Sequence, residues 1–165
     1  MSNGPSLTFP NLVLFADYDG NFENYFHAVY EVFEQDFIKS SPYFNKQKVS
    51  AQKHPEVDGI HRTFYHITHE GEDEKSRTPD IRRMERIRFP KFCITSCPHD
   101  DLLVWKNKRG KDTRVLIFNE DQEYLIVLTE RNGYYLFWTA YLVEQSHTKR
   151  KLIKEYQDFI KTKTA

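Results

Sequence analysis

Four β-rich runs crowd the second half of this chain, and the turns between them leave few ways to fold it. Leu102 to Lys106 and Arg114 to Phe118 flank Lys108-Arg109-Gly110-Lys111, while Glu123 to Thr129 and Tyr134 to Val143 flank Arg131-Asn132-Gly133. Asn-Gly between apolar, alternating runs is the strongest short hairpin signal, because both residues tolerate the positive φ of a type I′ turn. Strands joined by such short connections can only pair antiparallel. Lys91 to Ser96 reads as one further strand candidate. Helices bracket this meander. Phe22, Phe26, Val29, Phe33 and Phe37 recur at helical spacing after the Asp19-Gly20-Asn21 start signal, which predicts about five turns ending near Lys39-Ser40. Ser146 opens a last helix with Leu152, Ile153, Tyr156, Phe159 and Ile160 on its apolar side. The expected fold class is α+β, with N-terminal helices, then a curled antiparallel sheet of about four strands, then a C-terminal helix. The first and last helices are the natural covers of the sheet.

The front half is less regular. Residues 1 to 10, with Gly4, Pro5 and Pro10, read as a flexible lead-in, and Asn11 to Asp17 as a short strand or an extended lid. Residues 41 to 60 read as a loop with one short strand around Val49. Ile60 to Thr68 is ambiguous: its β-branched and aromatic content favours extended structure, yet His61, Tyr65 and His69 would share one helical face. An acidic turn follows, with Glu70, Glu72, Asp73 and Glu74. Thr78-Pro79-Asp80 then opens a helix expected to run to about Arg88, where Pro90 stops it.

At 165 residues the chain is read as one domain, 1–165. Lys plus Arg and Asp plus Glu both number 24, so the formal charge is zero and the molecule as a whole does not resemble a general nucleic-acid coat protein; local patches are judged separately. No apolar run approaches the ~18 residues of a membrane span, and the N-terminus lacks a basic signal-peptide start. The expectation is a cytoplasmic protein without a membrane partner, with Cys93 and Cys97 as reduced thiols. His66-x-x-His69 and Cys93-x3-Cys97-Pro98-His99 lack the spacings of established zinc sites, and no G-x-x-x-x-G-K, G-x-G-x-x-G or G-x-S-x-G occurs. Neither a metal nor a cofactor is expected.

The groups that move protons or hold anions gather between His61 and Arg88. An imidazole such as His66 titrates near neutrality and can take a proton from a ribose 2′-hydroxyl, with Glu70 and Glu74 placed to orient it. A histidine packed and hydrogen-bonded for structure is the competing reading. Guanidinium groups hold phosphate in bidentate fashion, and Arg77, Arg82, Arg83, Arg86 and Arg88 crowd one short segment. The alternative is a solvated helix in which Glu74, Asp80 and Glu85 neutralise them, and burial decides between the two. A second basic run, Trp105-Lys106-Asn107-Lys108-Arg109-Gly110-Lys111 with Arg114, suits phosphate tracking and base stacking. In the last strand, simple alternation places Thr139 and Tyr141 on one face and Trp138 and Ala140 on the other. The basic triplet Lys149-Arg150-Lys151 follows.

A histidine segment, an R-x-P-D-[IL]-R-R-x-E-R-I helix, a W-x-N-x-R hairpin and a T-A-Y strand before a basic helix together resemble a group of phage-associated bacterial proteins. The matching residues are His66, Gly71, Glu74, Arg77 to Ile87, Trp105, Asn107, Arg109, Arg114 and Thr139 to Tyr141, within about residues 20 to 160. More distantly the layout is similar to the barnase–EndoU–colicin–RelE-like ribonuclease superfamily. That resemblance implies metal-independent RNA cleavage through a 2′,3′-cyclic phosphate, with His66 as acid or base, Arg86 or Arg83 on the phosphate, and Thr139 and Tyr141 in the cleft. Arg77, Arg82, Arg83, Trp105, Arg109, Arg114 and Lys151 are the candidate substrate-binding residues. The zero net charge departs from the basic toxins of the superfamily and suits a structured RNA such as tRNA, or a lost activity. The alternatives are a non-catalytic accessory factor with a protein partner, or a nucleotide enzyme using the same pocket.

Overall fold

A computed structural model describes residues 5–57, 59–71 and 76–164. Its centre is a curled six-stranded sheet in the order β1-β2-β8-β7-β6-β5. The four strands expected from the turns are all present: β5 (Leu103–Arg109), β6 (Asp112–Asn119), β7 (Tyr124–Glu130) and β8 (Tyr135–Leu142). They form an antiparallel meander running from Leu103↔Phe118 to Glu130↔Tyr135, in even register except for one slip between β7 and β8. Gly110 and Gly133 take positive φ, as tight hairpin turns require.

The sheet is larger than four strands because residues 43–51 add two more. β1 (Tyr43–Phe44) pairs with β2 (Gln47–Ala51), and β2 lies parallel to β8 with Val49 opposite Tyr135. Val49 is fully buried and, with the smaller Ala51, anchors an otherwise polar strand. Lys91 to Ser96, the other strand candidate, is instead helical. It belongs to α4 (Phe89–Ser96), and Pro90, rather than ending a preceding helix, sits in the first turn of this one, where no N–H partner is needed.

Both sheet faces are covered, which explains why the inner strands read as continuous apolar runs rather than clean alternations. On one face lie α1 (Phe22–Phe33), the π-helical continuation Glu34–Ile38, α2 (Arg62–Thr68), α3 (Ile81–Glu85) and α4, sharing a core built on Tyr25, Val29, Phe33, Phe64, Met84, Phe89, Ile126 and Phe137. On the other, α5 (Ser146–Thr164) lays Leu152, Ile153, Tyr156 and Phe159 over Trp105, Leu116, Phe118, Leu125 and Val127. Among the described residues no helix is long and apolar enough to cross a membrane.

Residues 5–10, the described part of the expected lead-in, run as a docked strap. The Leu7 N–H donates to Asp101 Oδ2 at 2.9 Å, and the Phe9 ring lies 4.9 Å from both Phe89 and Phe92. The chain continues extended through Val13, whose N–H donates to the Glu85 carbonyl, into a 3-10 turn at Phe15–Tyr18.

Candidate functional site

The ambiguous stretch 60–68 resolves as helix. Phe64 and Ile67 point into the core, Phe64 packs edge-on against Tyr30 at 4.8 Å and Phe33 at 5.2 Å, and this burial overrides the β-propensity of the segment. α2 lies against β8 where β2 has ended. Thr63 Oγ1 joins the two elements, donating to the Phe137 carbonyl at 3.2 Å and accepting from the Gln52 N–H at 2.7 Å. His66, half-buried, therefore faces the outer part of β8.

A small hairpin follows α2. β3 (His69–Glu70) pairs with β4 (Thr78–Pro79), so Thr78 and Pro79 are strand rather than helix, and Asp80 is the actual N-cap of α3. Its carboxylate accepts from the Arg82 and Arg83 N–H groups. Gly71 has φ +133, and a Cβ there would stand 3.3 Å from Arg77 Cα, so glycine lets the hairpin bring Arg77 in closely. Glu74, expected to orient His66, lies outside the described residues with the rest of 72–75.

His66, Glu70, Gly71, Arg77, Arg83, Trp138, Thr139 and Tyr141 line one open cleft of about 400 Å³. Arg83 is its fixed cation. One Nη donates to the His69 carbonyl at 2.7 Å and the His66 carbonyl at 3.4 Å, and Nε lies 3.3 Å from Asp80. The guanidinium thus caps the C-terminal end of α2 and sits 5.8 Å from the Tyr141 ring centroid. Arg77 reaches the His69 carbonyl at 3.5 Å, and its Nε is buried without a partner. Thr139 and Tyr141 present hydroxyls that bond to no described residue.

Trp138 is the residue that alternation misplaces. The β7–β8 register slips between Val127 and Leu128, so that Thr139 faces Val127 and Phe137 faces Leu128, leaving Trp138 as an extra residue. The β-bulge turns Trp138 to the same side as Thr139 and Tyr141, while Phe137 and Ala140 keep the core side. Its ring lies 6.3 Å from that of His66, with the Arg62 guanidinium at 5.1 Å and the Arg114 guanidinium at 5.5 Å. Sequence alone gave no signal for this bulge. Arg62 was equally missed, since no lysine or other arginine stands beside it in the sequence.

Other candidates stand elsewhere. Arg86 does not enter the cleft: as the C-cap of α3 it donates to the Arg82 carbonyl and lies 6.0 Å from the Phe89 ring. Arg82 is exposed and paired with Glu144. Trp105 is 1% exposed beneath α5, 5.8 Å from Tyr156, and serves the core rather than a base. Arg109 is exposed at the β5–β6 hairpin tip, and Lys151 is exposed on α5, outside the cleft lining. Arg114 lies on the cleft side of the sheet, beyond Trp138.

Beneath the cleft, His69 is buried, stacked at 4.3 Å on Tyr65 and bonded through Nδ1 to Thr68 Oγ1 at 2.9 Å. Burial holds its pKa below the usual 6.5, and the nearby charges of Arg77 and Arg83 add to the effect. The unfolded chain therefore binds a proton that the folded one refuses. Stability is full above about pH 6.5 and declines as pH falls through the lowered folded value. His61, also shifted down mainly by burial, acts in the same direction. Melting temperatures followed from neutral pH downward should fall less steeply for His69→Gln than for wild type; parallel curves would contradict this assignment.

Comparison with known proteins returned no matching family model, no matching curated protein and no matching solved structure.

Proposed function

We propose that this chain is a cytoplasmic RNA-cleaving domain whose cleft holds a backbone phosphate between Arg77 and Arg83, with His66 as the proton-transfer group. The observation that carries the reading is the shared cleft: an imidazole, two guanidinium groups and two hydroxyls from four separate segments line one space. In this reading His66 takes the proton of a ribose 2′-hydroxyl. The freed oxygen attacks phosphorus, the new P–O2′ bond forms as the P–O5′ bond breaks, and the departing 5′-oxygen takes a proton from water. Guanidinium groups fixed by α2 and Asp80 stabilise the added charge of the pentacoordinate phosphorus without having to reorganise. The Thr139 and Tyr141 hydroxyls donate to the non-bridging oxygens. The open mouth and the zero net charge suit a folded RNA such as tRNA, whose shape presents one strand to the cleft.

Purified protein incubated with total RNA in excess chelator should produce fragments ending in 2′,3′-cyclic phosphate. Intact RNA after prolonged incubation would rule out catalysis. Tight retention of uncleaved RNA would leave only the binding half of the proposal.

A further inference from the structure

We infer that Arg114 forms a second anion seat on the sheet face beside Trp138, so that the ligand is a ribonucleotide strand with consecutive phosphates rather than a lone phosphate or a mononucleotide. This rests on the RNA reading and adds to it the length of strand engaged.

Asn107, Arg114 and Thr129 stand opposite one another on β5, β6 and β7. They share a face with Trp105 and Leu116, but lie toward the end of the sheet where α5 no longer supplies apolar cover. Asn107 Nδ2 still reaches α5, donating to Glu155 Oε1 at 2.7 Å. Beyond that bond the row is underbonded: Asn107 Oδ1, Arg114 Nε and Thr129 Oγ1 are all buried without a partner. Buried polar atoms without partners are uncommon in native folds, and a run of three in register marks a place where side chains have bonding capacity to spare.

Charge points the same way. Among the described residues Arg114 forms no ion pair. The nearest acid on its strand, Asp112, is held by Arg131 at 3.3 Å, and Arg109 adds a second positive charge close by. Arginine does not escape this by losing its proton, so a partly buried cation remains that Asp112, shared with Arg131, offsets only in part. An anion resolves that imbalance.

Trp138 joins this seat to the first. Its ring lies 5.5 Å from the Arg114 guanidinium and 6.3 Å from the ring of His66, which lines the first cleft with Arg77 and Arg83, so Arg114 and that imidazole are no farther apart than the sum of those distances. Consecutive phosphates of one strand, separated by a single sugar, fit that interval, with the tryptophan lying between them.

The salt dependence of binding counts phosphates, at a slope of about −0.7 in log K against log salt for each one neutralised on a single strand. Fluorescently labelled 2′-O-methyl oligoribonucleotides, which lack the attacking hydroxyl, give this slope without cleavage. Arg114→Gln should flatten it by about 0.7, while Arg114→Lys restores it. Competition by inorganic phosphate, which occupies the Arg77–Arg83 seat, should be the same in wild type and both variants. On the unaltered protein, lengthening the probe from one bridging phosphate to two should steepen the slope by about 0.7; this arm does not depend on any variant folding. Equal slopes for the two probe lengths, or for wild type and Arg114→Gln, would overturn the second seat and leave the RNA reading standing. No binding of any oligonucleotide by wild type would overturn both.

Discussion

His66→Ala should lower the rate of RNA cleavage by about 10²- to 10⁴-fold, the range supplied by a positioned proton-transfer group. The fold should hardly respond. His66 is half-buried at the cleft wall, and its carbonyl, which Arg83 grips at 3.4 Å, is main chain and survives the substitution. A change within about 0.5 kcal/mol moves the melting temperature of a chain this size by about 2 °C or less. Cleavage assays and thermal melts on the same preparation separate the two quantities. Undiminished cleavage by the alanine variant would remove the histidine from the mechanism.

The largest effect on stability is expected from Phe64→Ala. Phe64 is fully buried in α2, and its ring meets Phe26, Tyr30 and Phe33 at centroid distances from 4.8 to 5.6 Å. Removing a ring from such a site costs about 3–5 kcal/mol, because the transfer energy is lost and the cavity only partly closes. The melting temperature should fall by on the order of 10 °C. Phe64 is also what fixes α2 against α1, so the variant should lose RNA affinity below its melting point as Arg62 and His66 drift from β8. A melting shift of only a degree or two would mean that α2 is held by its hydrogen bonds to β8 and not by this packing.

Much of the fold could be read before any coordinates, and the reasons are local. Asn132-Gly133 and Gly110 determine their turns through backbone geometry, which depends on nothing distant. The stripe through Val29, Phe33 and Phe37 finds its partner on the sheet wherever that sheet lies. The errors have non-local causes. Residues 60–68 look extended by propensity, but Phe64 and Ile67 are buried at helical spacing, and tertiary contact decides. β2 carries little apolar signal beyond Val49, because it is specified by the free edge of β8 more than by its own residues. The strap at residues 5–10 looks featureless until the Phe89–Phe92 surface that receives Phe9 exists.

The site divides in the same manner. His66, Arg77, Arg83, Thr139 and Tyr141 were recognisable by chemical type and do share the cleft. Arg86 and Trp105 have the right chemistry but the wrong direction: one lies over Phe89 and the other under α5. Chemical type is a property of a residue, whereas direction depends on helix phase and strand register. In a helix running on to Arg88, Arg83 and Arg86 would share a face; α3 stops at Glu85, so Arg86 leaves the helical phase and turns away.

The slip in β8 has a further implication. Were position 138 simply skipped, the strand would alternate regularly, with Phe137 and Ala140 still inward and Thr139 and Tyr141 still outward. The tryptophan is therefore a supernumerary residue that a single codon can add or delete while its neighbours keep their orientation. Descendants of this chain can change what lines the mouth of the cleft without re-evolving the sheet that carries it.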